Sequence, residues 1–140
     1  MCLSSNHMKK KWFLDSGCSK HMTGNKDWFT CLTKKNGGKV TFGGNEKGKI
    51  IGIGNIENPL YVVIENVCLV EGLNHNLLSI SQLCDKGYEV IFTHTHCHIK
   101  DPQTNKIIFV GERMNNVYIV NLEDISSNSI KCLSAISDDA

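Results

Sequence analysis

The sequence predicts an all-β fold: a small barrel with one short helix and further β segments after it. Three observations lead there. Short runs of β-branched and apolar residues recur along the chain, each bounded by Gly, Asn or Pro turn signals. Only one stretch, Ile80 to Lys86, combines helical spacing with cap residues at both ends. No internal repeat of fixed period is visible, and 140 residues suffice for one core but not for two.

Taken in order, residues 1–11 read as a flexible leader that ends in the solvated run Lys9-Lys10-Lys11. Trp12-Phe13-Leu14 reads as a buried strand that stops abruptly at Asp15-Ser16-Gly17, and Gly24-Asn25 is a second turn. Asp27-Trp28-Phe29 is expected to form a short irregular segment whose aromatics cover one end of the core. Gly37-Gly38 opens a hairpin, with Lys39 to Phe42 as one arm, Gly43-Gly44-Asn45 as the tip and Gly48 to Ile56 as the returning arm. The glycines of that second arm mark places where a strand bends or another backbone comes close. Gly52-Ile53-Gly54 lacks the third glycine of a dinucleotide loop, and Asn58-Pro59 breaks any following helix. A mobile hairpin over a site fits these glycines better.

Leu60 to Val70 reads as two strands or one bulged strand, interrupted at Glu65-Asn66, and Gly72 to Asn76 as a loop. Ser79 is then the N-cap of the helix, with Gln82 completing a capping box, Leu78 stapled to Leu83 and Gly87 as the C′ residue. Ile80, Leu83 and Cys84 are expected on one face. Tyr88 to Thr93, Cys97 to Lys100, Lys106 to Val110 and Val117 to Leu122 are β segments, with a turn at Asp101 to Asn105. These bounds make 12–122 the barrel domain, and 123–140, rich in Ser, Asn and Asp, a loose tail.

Composition removes several classes of function. Fifteen basic and fourteen acidic residues give a net charge of +1, so no overall field draws nucleic acid or a membrane. No apolar run approaches the roughly 20 residues of a membrane span, and no apolar segment follows the basic residues near the N-terminus as a signal peptide would require. Seven scattered cysteines, an odd number, favour free thiols in a reducing, cytoplasmic setting. No C-x2-C pair exists, which excludes a zinc ribbon or knuckle. Cys18 and His21 are spaced like half a metal site without a partner half. His94, His96 and His98 would share a strand face with Cys97 behind them, and they read as exposed strand residues. No metal and no cofactor is expected.

The chemistry concentrates at the end of the first strand. A strand ending in Asp15-Ser16-Gly17 presents a carboxylate where it can activate a water, with a hydroxyl to brace the loop and a glycine that lets backbone amides approach the acid.

The run from Trp12 through Asp15-Ser16-Gly17-Cys18-Ser19-Lys20-His21-Met22-Thr23-Gly24 resembles the protease motif in Pol polyproteins of copia-type LTR retrotransposons. The resemblance continues through Val40-Thr41-Phe42-Gly43, Lys49 to Gly54 and Leu73 to Leu83. It ends in Gly111 to Tyr118, which resembles the start of the pre-integrase segment, so that it covers roughly 12–122. It implies a retropepsin-like β-barrel in which Asp15 is the catalytic acid and Ser16 and Gly17 complete the active-site loop. The candidate flap is the hairpin with Gly43, Gly44, Asn45 and Gly48. Leu77-Leu78-Ser79 falls where retropepsins have two apolar residues and a glycine; here the glycine is serine. Neither a nucleocapsid zinc knuckle nor the integrase zinc-binding stretch is present, so a piece of a polyprotein is expected.

The resemblance implies an aspartic endopeptidase that processes Gag-Pol. One Asp-Ser-Gly per chain requires a second copy of the same chain to supply the other carboxylate. The alternative is a catalytically silent barrel remnant with a structural or interaction role, favoured by the β segments after the helix. A nucleic-acid-binding module fails on charge and on missing motifs.

Overall fold

The structure is a computed structural model that describes residues 11–42, 45–57 and 62–122. Residues 1–10 of the expected leader, the tail, the hairpin tip at Gly43-Gly44 and the start of the Leu60 to Val70 run lie outside the described residues, whereas Lys11, the last residue of that leader, already opens the first strand.

Within them the chain is nearly all β, as the sequence predicts. Eleven strands run in order: β1 (Lys11–Asp15), β2 (Met22–Thr23), β3 (Phe29–Lys34), β4 (Lys39–Phe42), β5 (Glu46–Glu57), β6 (Val63–Val70), β7 (Asn76–Ser79), β8 (Glu89–Phe92), β9 (His96–Asp101), β10 (Lys106–Met114) and β11 (Val117–Asn121). One helix, α1 (Ile80–Asp85), follows β7, and a 3-10 turn at Lys26–Trp28 precedes β3. The hydrogen-bonded order is β3-β5-β6-β2-β7-β1-β11-β10-β9-β8, with β4 on β5. The sheet is barrel-like in its two-sided core but not closed, since β3 and β8 end the path.

The period-2 pattern of β1 explains its place. Trp12 and Leu14 are buried in one apolar cluster with Leu78, Phe109 and Val120, while Phe13 packs on a second cluster containing Cys18, Met22, Ile50 and Leu77. Trp28 covers Trp12 edge-on at 5.5 Å between ring centroids, the cover expected of Asp27-Trp28-Phe29. Strand β7 runs between β1 and β2, parallel to the first and antiparallel to the second. All four of its residues are buried. The sequence predicts a loop through Asn76 and no strand here; the structure has β7 instead, pinned between β1 and β2.

The β4–β5 hairpin forms with Lys39 opposite Lys49 and Phe42 opposite Glu46. Beyond Gly52, however, β5 is an interior strand held between β3 and β6, so this half of the expected mobile arm is fixed. A Cβ on Gly54 would run into the Cys31 carbonyl oxygen, so this glycine serves close strand approach rather than motion. β6 is one strand with a bulge: Asn66 takes a φ of 60°, and its N–H donates to Asn55 Oδ1 at 3.2 Å.

The helix ends as the sequence dictates. Gly87 at φ 97° lets its own N–H donate to the Cys84 carbonyl and the Tyr88 N–H to the Leu83 carbonyl, the two bonds of a Schellman end. Its start departs from the expected box. Ser79 Oγ accepts the Gln82 N–H at 3.2 Å, but the Gln82 side chain does not return to Ser79. It bridges instead to His21 and to the bulge in β6. Cys84 is exposed rather than on the buried face, since a helix this short buries only Leu83.

β8 to β11 form an antiparallel meander whose last strand pairs β1, Lys11 opposite Asn121 and Phe13 opposite Ile119. Gly111 to Tyr118, which resembles the start of another segment, is thus a hairpin of this same sheet.

Candidate active site

Asp15 closes β1 half-buried, at the last register position of the parallel pair, opposite Ser79. The Gly17 N–H donates to Asp15 Oδ1 at 2.7 Å, and a Cβ on Gly17 would stand only 3.1 Å from that oxygen. The glycine therefore does what the sequence expects: it admits a backbone amide to the carboxylate. Ser16 and Gly17 are exposed, so the acid sits at the rim of the sheet and not inside it.

The hydroxyl that braces the loop from below is that of Ser79. Its Oγ donates to the Cys18 carbonyl at 2.8 Å. The Ser79 N–H donates to His21 Nδ1 at 2.9 Å, and the His21 N–H donates to Gln82 Oε1 at 2.8 Å. The Gln82 amide in turn donates to the Glu65 and Asn66 carbonyls at 3.1 Å each. Loop, β7, α1 and β6 are tied by one chain of bonds. A further buried pair, Thr23 Oγ1 to Asn76 Oδ1 at 2.6 Å, with Asn76 Nδ2 on the Lys11 carbonyl at 3.1 Å, fixes β2 and β7 to the start of β1.

Burial sets the electrostatics. His21, 2% exposed, has its pKa lowered from 6.5 to about 4 by desolvation, so the ring is neutral and offers Nδ1 as an acceptor. Burial, then the charge of Asp15, pushes the Cys18 thiol up to about 11, and its Sγ–H points to the Asp15 carbonyl at 3.7 Å. Neither group is free for a metal. His94 lies in a bend before β9, while His96 and His98 stand on β9 with Cys97 buried behind them. Among the described residues no three His, Cys, Asp or Glu converge on a metal-sized site.

Of the candidate flap, Gly43 and Gly44 lie outside the described residues and Asn45 is an exposed turn residue. Gly48 is not at a free tip. It is buried in β5, where a Cβ would meet Val70 Cγ1 at 2.5 Å and Phe42 Cε1 at 2.9 Å. Val40 and Phe42 of the hairpin pack on the cluster that contains Cys18 of the Asp15 loop, against which Phe13 of β1 also packs.

Residues 12–88, more than half of the chain, match the family model for the Pol polyprotein, beta-barrel domain. The chain belongs to that family. No curated protein and no solved structure matches it. As a Pol β-barrel domain, the chain is a region of a retrotransposon-type polyprotein. The match spans β1 to α1, and so includes Asp15 and every residue that ties down its loop, while β8 to β11 lie beyond it. No helix among the described residues is long and apolar enough to cross a membrane.

His21, Ser79 and Gln82 were not singled out by sequence as parts of the site. In the sequence His21 reads as part of half a metal site and Gln82 as part of a helix cap, while Ser79 reads as the cap and as the residue at the place of the retropepsin glycine, with no bond to the Asp15 loop implied. Nothing local announces bonds across about 60 residues of sequence.

Proposed function

We propose that this Pol β-barrel domain is the aspartic endopeptidase of a copia-type polyprotein, acting on Gag-Pol as a homodimer in a reducing, intracellular compartment. The observation that carries the reading is the Asp15 carboxylate, half-buried at a strand end and held by the Gly17 N–H over a loop whose other side is buried and bonded. In the dimer the two Asp15 carboxylates share one proton. One accepts a proton from water as the water oxygen attacks the scissile carbonyl, while the other gives its proton to the carbonyl oxygen. The first then passes its proton to the leaving nitrogen and the second takes one back from the diol as the C–N bond breaks, which leaves one proton on the pair. No cofactor is needed. The hairpin, packed on the same cluster as Phe13, is the flap, and β5 beyond Gly52, clamped on both sides, takes no part in its motion.

One observation favours a second reading, a silent structural barrel. β11 pairs the outer edge of β1 from Lys11 to Phe13 within the same chain, which leaves a second copy only the Asp15 end to approach. The test is incubation of the purified chain with a Gag-Pol precursor between pH 4 and 7, with the mass in solution measured at micromolar concentration. Discrete fragments from wild type and none from Asp15→Asn support the protease; a strict monomer that cuts nothing supports the silent barrel.

A further inference from the structure

Loop 15–21 returns to the sheet through His21, and three of its bonds converge there. The ring accepts the Ser79 N–H at Nδ1 (2.9 Å), the backbone N–H reaches Gln82 Oε1 (2.8 Å), and the backbone carbonyl accepts the Cys68 N–H (2.9 Å). Ser79 is the residue opposite Asp15 in the β1–β7 pair, and its hydroxyl holds the Cys18 carbonyl in the middle of the loop. The imidazole is therefore one bond away from the strand position that faces the acid.

We propose that His21 is the positioning residue of the Asp15 loop: its neutral ring locks the loop onto Ser79, and protonation of Nδ1 releases it. A protonated Nδ1 would be a donor facing the Ser79 N–H, also a donor, on a ring that is 2% exposed, so the charged form cannot keep this bond. The groups that face His21 do not offset such a charge. Glu65 of β6 and Lys86 at the end of α1 line the cavity beside it and pair with each other at 2.8 Å. Tyr88 lines the same cavity. Cys18 and Cys68 are thiols held neutral by burial, and Asp15 Oδ1 is already taken by the Gly17 N–H. Leu83 and Phe109 complete the wall with apolar surface.

As a statement about the enzyme this rests on the protease reading, where it supplies an acid limit to activity set by a group that never touches substrate. Its test does not need cleavage. In the full chain, the Ser79 and Cys68 amide signals, both from N–H groups bonded to His21, are followed by nuclear magnetic resonance from pH 7 downward, alongside the His21 ring nitrogens. Both amides are expected to shift with the ring, with a midpoint near 4, while signals from β9 and β10 stay put. His21→Asn, which offers an uncharged acceptor near the Nδ1 position, keeps the neutral-pH spectrum and removes the titration. His21→Leu, which offers no acceptor, raises hydrogen exchange at Ser79 and Cys68 by about tenfold or more at pH 7. Amides that ignore the ring's titration, or a His21→Asn spectrum that titrates as wild type does, overturn the proposal. If the chain cleaves Gag-Pol, the acid limb of its pH profile moves to lower pH in His21→Asn. Failure to cleave with intact amide coupling counts against the protease alone.

Discussion

Asp15 and Ser79 stand opposite one another across the parallel β1–β7 pair, and the serine hydroxyl, by donating to the Cys18 carbonyl, anchors the loop that follows the acid. The same oxygen accepts the Gln82 N–H as the helix N-cap. One buried side chain thus positions both the carboxylate loop and α1.

Ser79→Ala should cost about 2–4 kcal/mol, combining a lost cap with a buried carbonyl left without its donor. Ser79→Gly, the residue found at this place in retropepsins, fits the backbone but leaves the Cys18 carbonyl equally unpaired, so it should lose about as much. Urea unfolding checks this: a midpoint unchanged in both variants would show that the loop is held by something else.

Stability should fall on acidification between about pH 6.5 and about pH 4. His21 is held neutral in the fold while the unfolded chain takes up a proton throughout that window, so the unfolded state gains relative to the native one as pH drops. Across roughly 2.5 pH units the loss approaches about 3 kcal/mol, and it levels off below the folded pKa. Denaturant midpoints measured at pH 7, 5.5 and 4 give the slope; a flat profile would mean that the ring takes up its proton in the native state just as it does in the unfolded chain.

Much of this fold was legible because its signals are local. The helix stop at Gly87, the turn from Asp101 to Asn105 and the alternation of Trp12, Phe13 and Leu14 each need only neighbouring residues. What escaped was non-local. β7 is buried on both faces, so Asn76-Leu77-Leu78-Ser79 shows no alternation, and its parallel partner lies far away in sequence. β3 has the opposite problem: five of its six residues are exposed, which leaves no apolar face to read. Of the two roles the sequence offers the glycines of β5, close approach and mobility, Gly54 and Gly48 serve the first, Gly54 against the β3 backbone and Gly48 against the Val70 and Phe42 side chains. At the site, Asp15 was readable from its tripeptide, but the bonds that hold it needed the fold.

Gly54→Ala should be among the most damaging small substitutions, at about 3 kcal/mol or more, because the new Cβ meets backbone that can yield only if β3 moves. Gly38→Ala, in open space at φ 83°, should cost only about 1 kcal/mol of backbone strain. Similar unfolding midpoints for the two would contradict the assignment of Gly54 to strand packing.

Thiol chemistry should divide the cysteines by burial. Cys31 and Cys84 are exposed and should alkylate readily at pH 8, whereas Cys18, Cys68 and Cys97 are buried with raised pKa values and should react only on unfolding. Peptide mapping after a brief iodoacetamide pulse reads this directly. Early labelling of Cys18 would mean that the loop over Ser79 opens in the native state.

The shared dyad is tested most directly by mixing wild-type chain with Asp15→Asn at constant total concentration, under conditions where subunits exchange, and measuring cleavage of a Gag-Pol peptide. If both Asp15 carboxylates are needed in one site, mixed dimers are dead and activity follows the square of the wild-type fraction, leaving about one quarter in an equal mixture. If each chain works with its own acid alone, activity falls in proportion, leaving about one half, and the homodimeric account of Asp15 is contradicted.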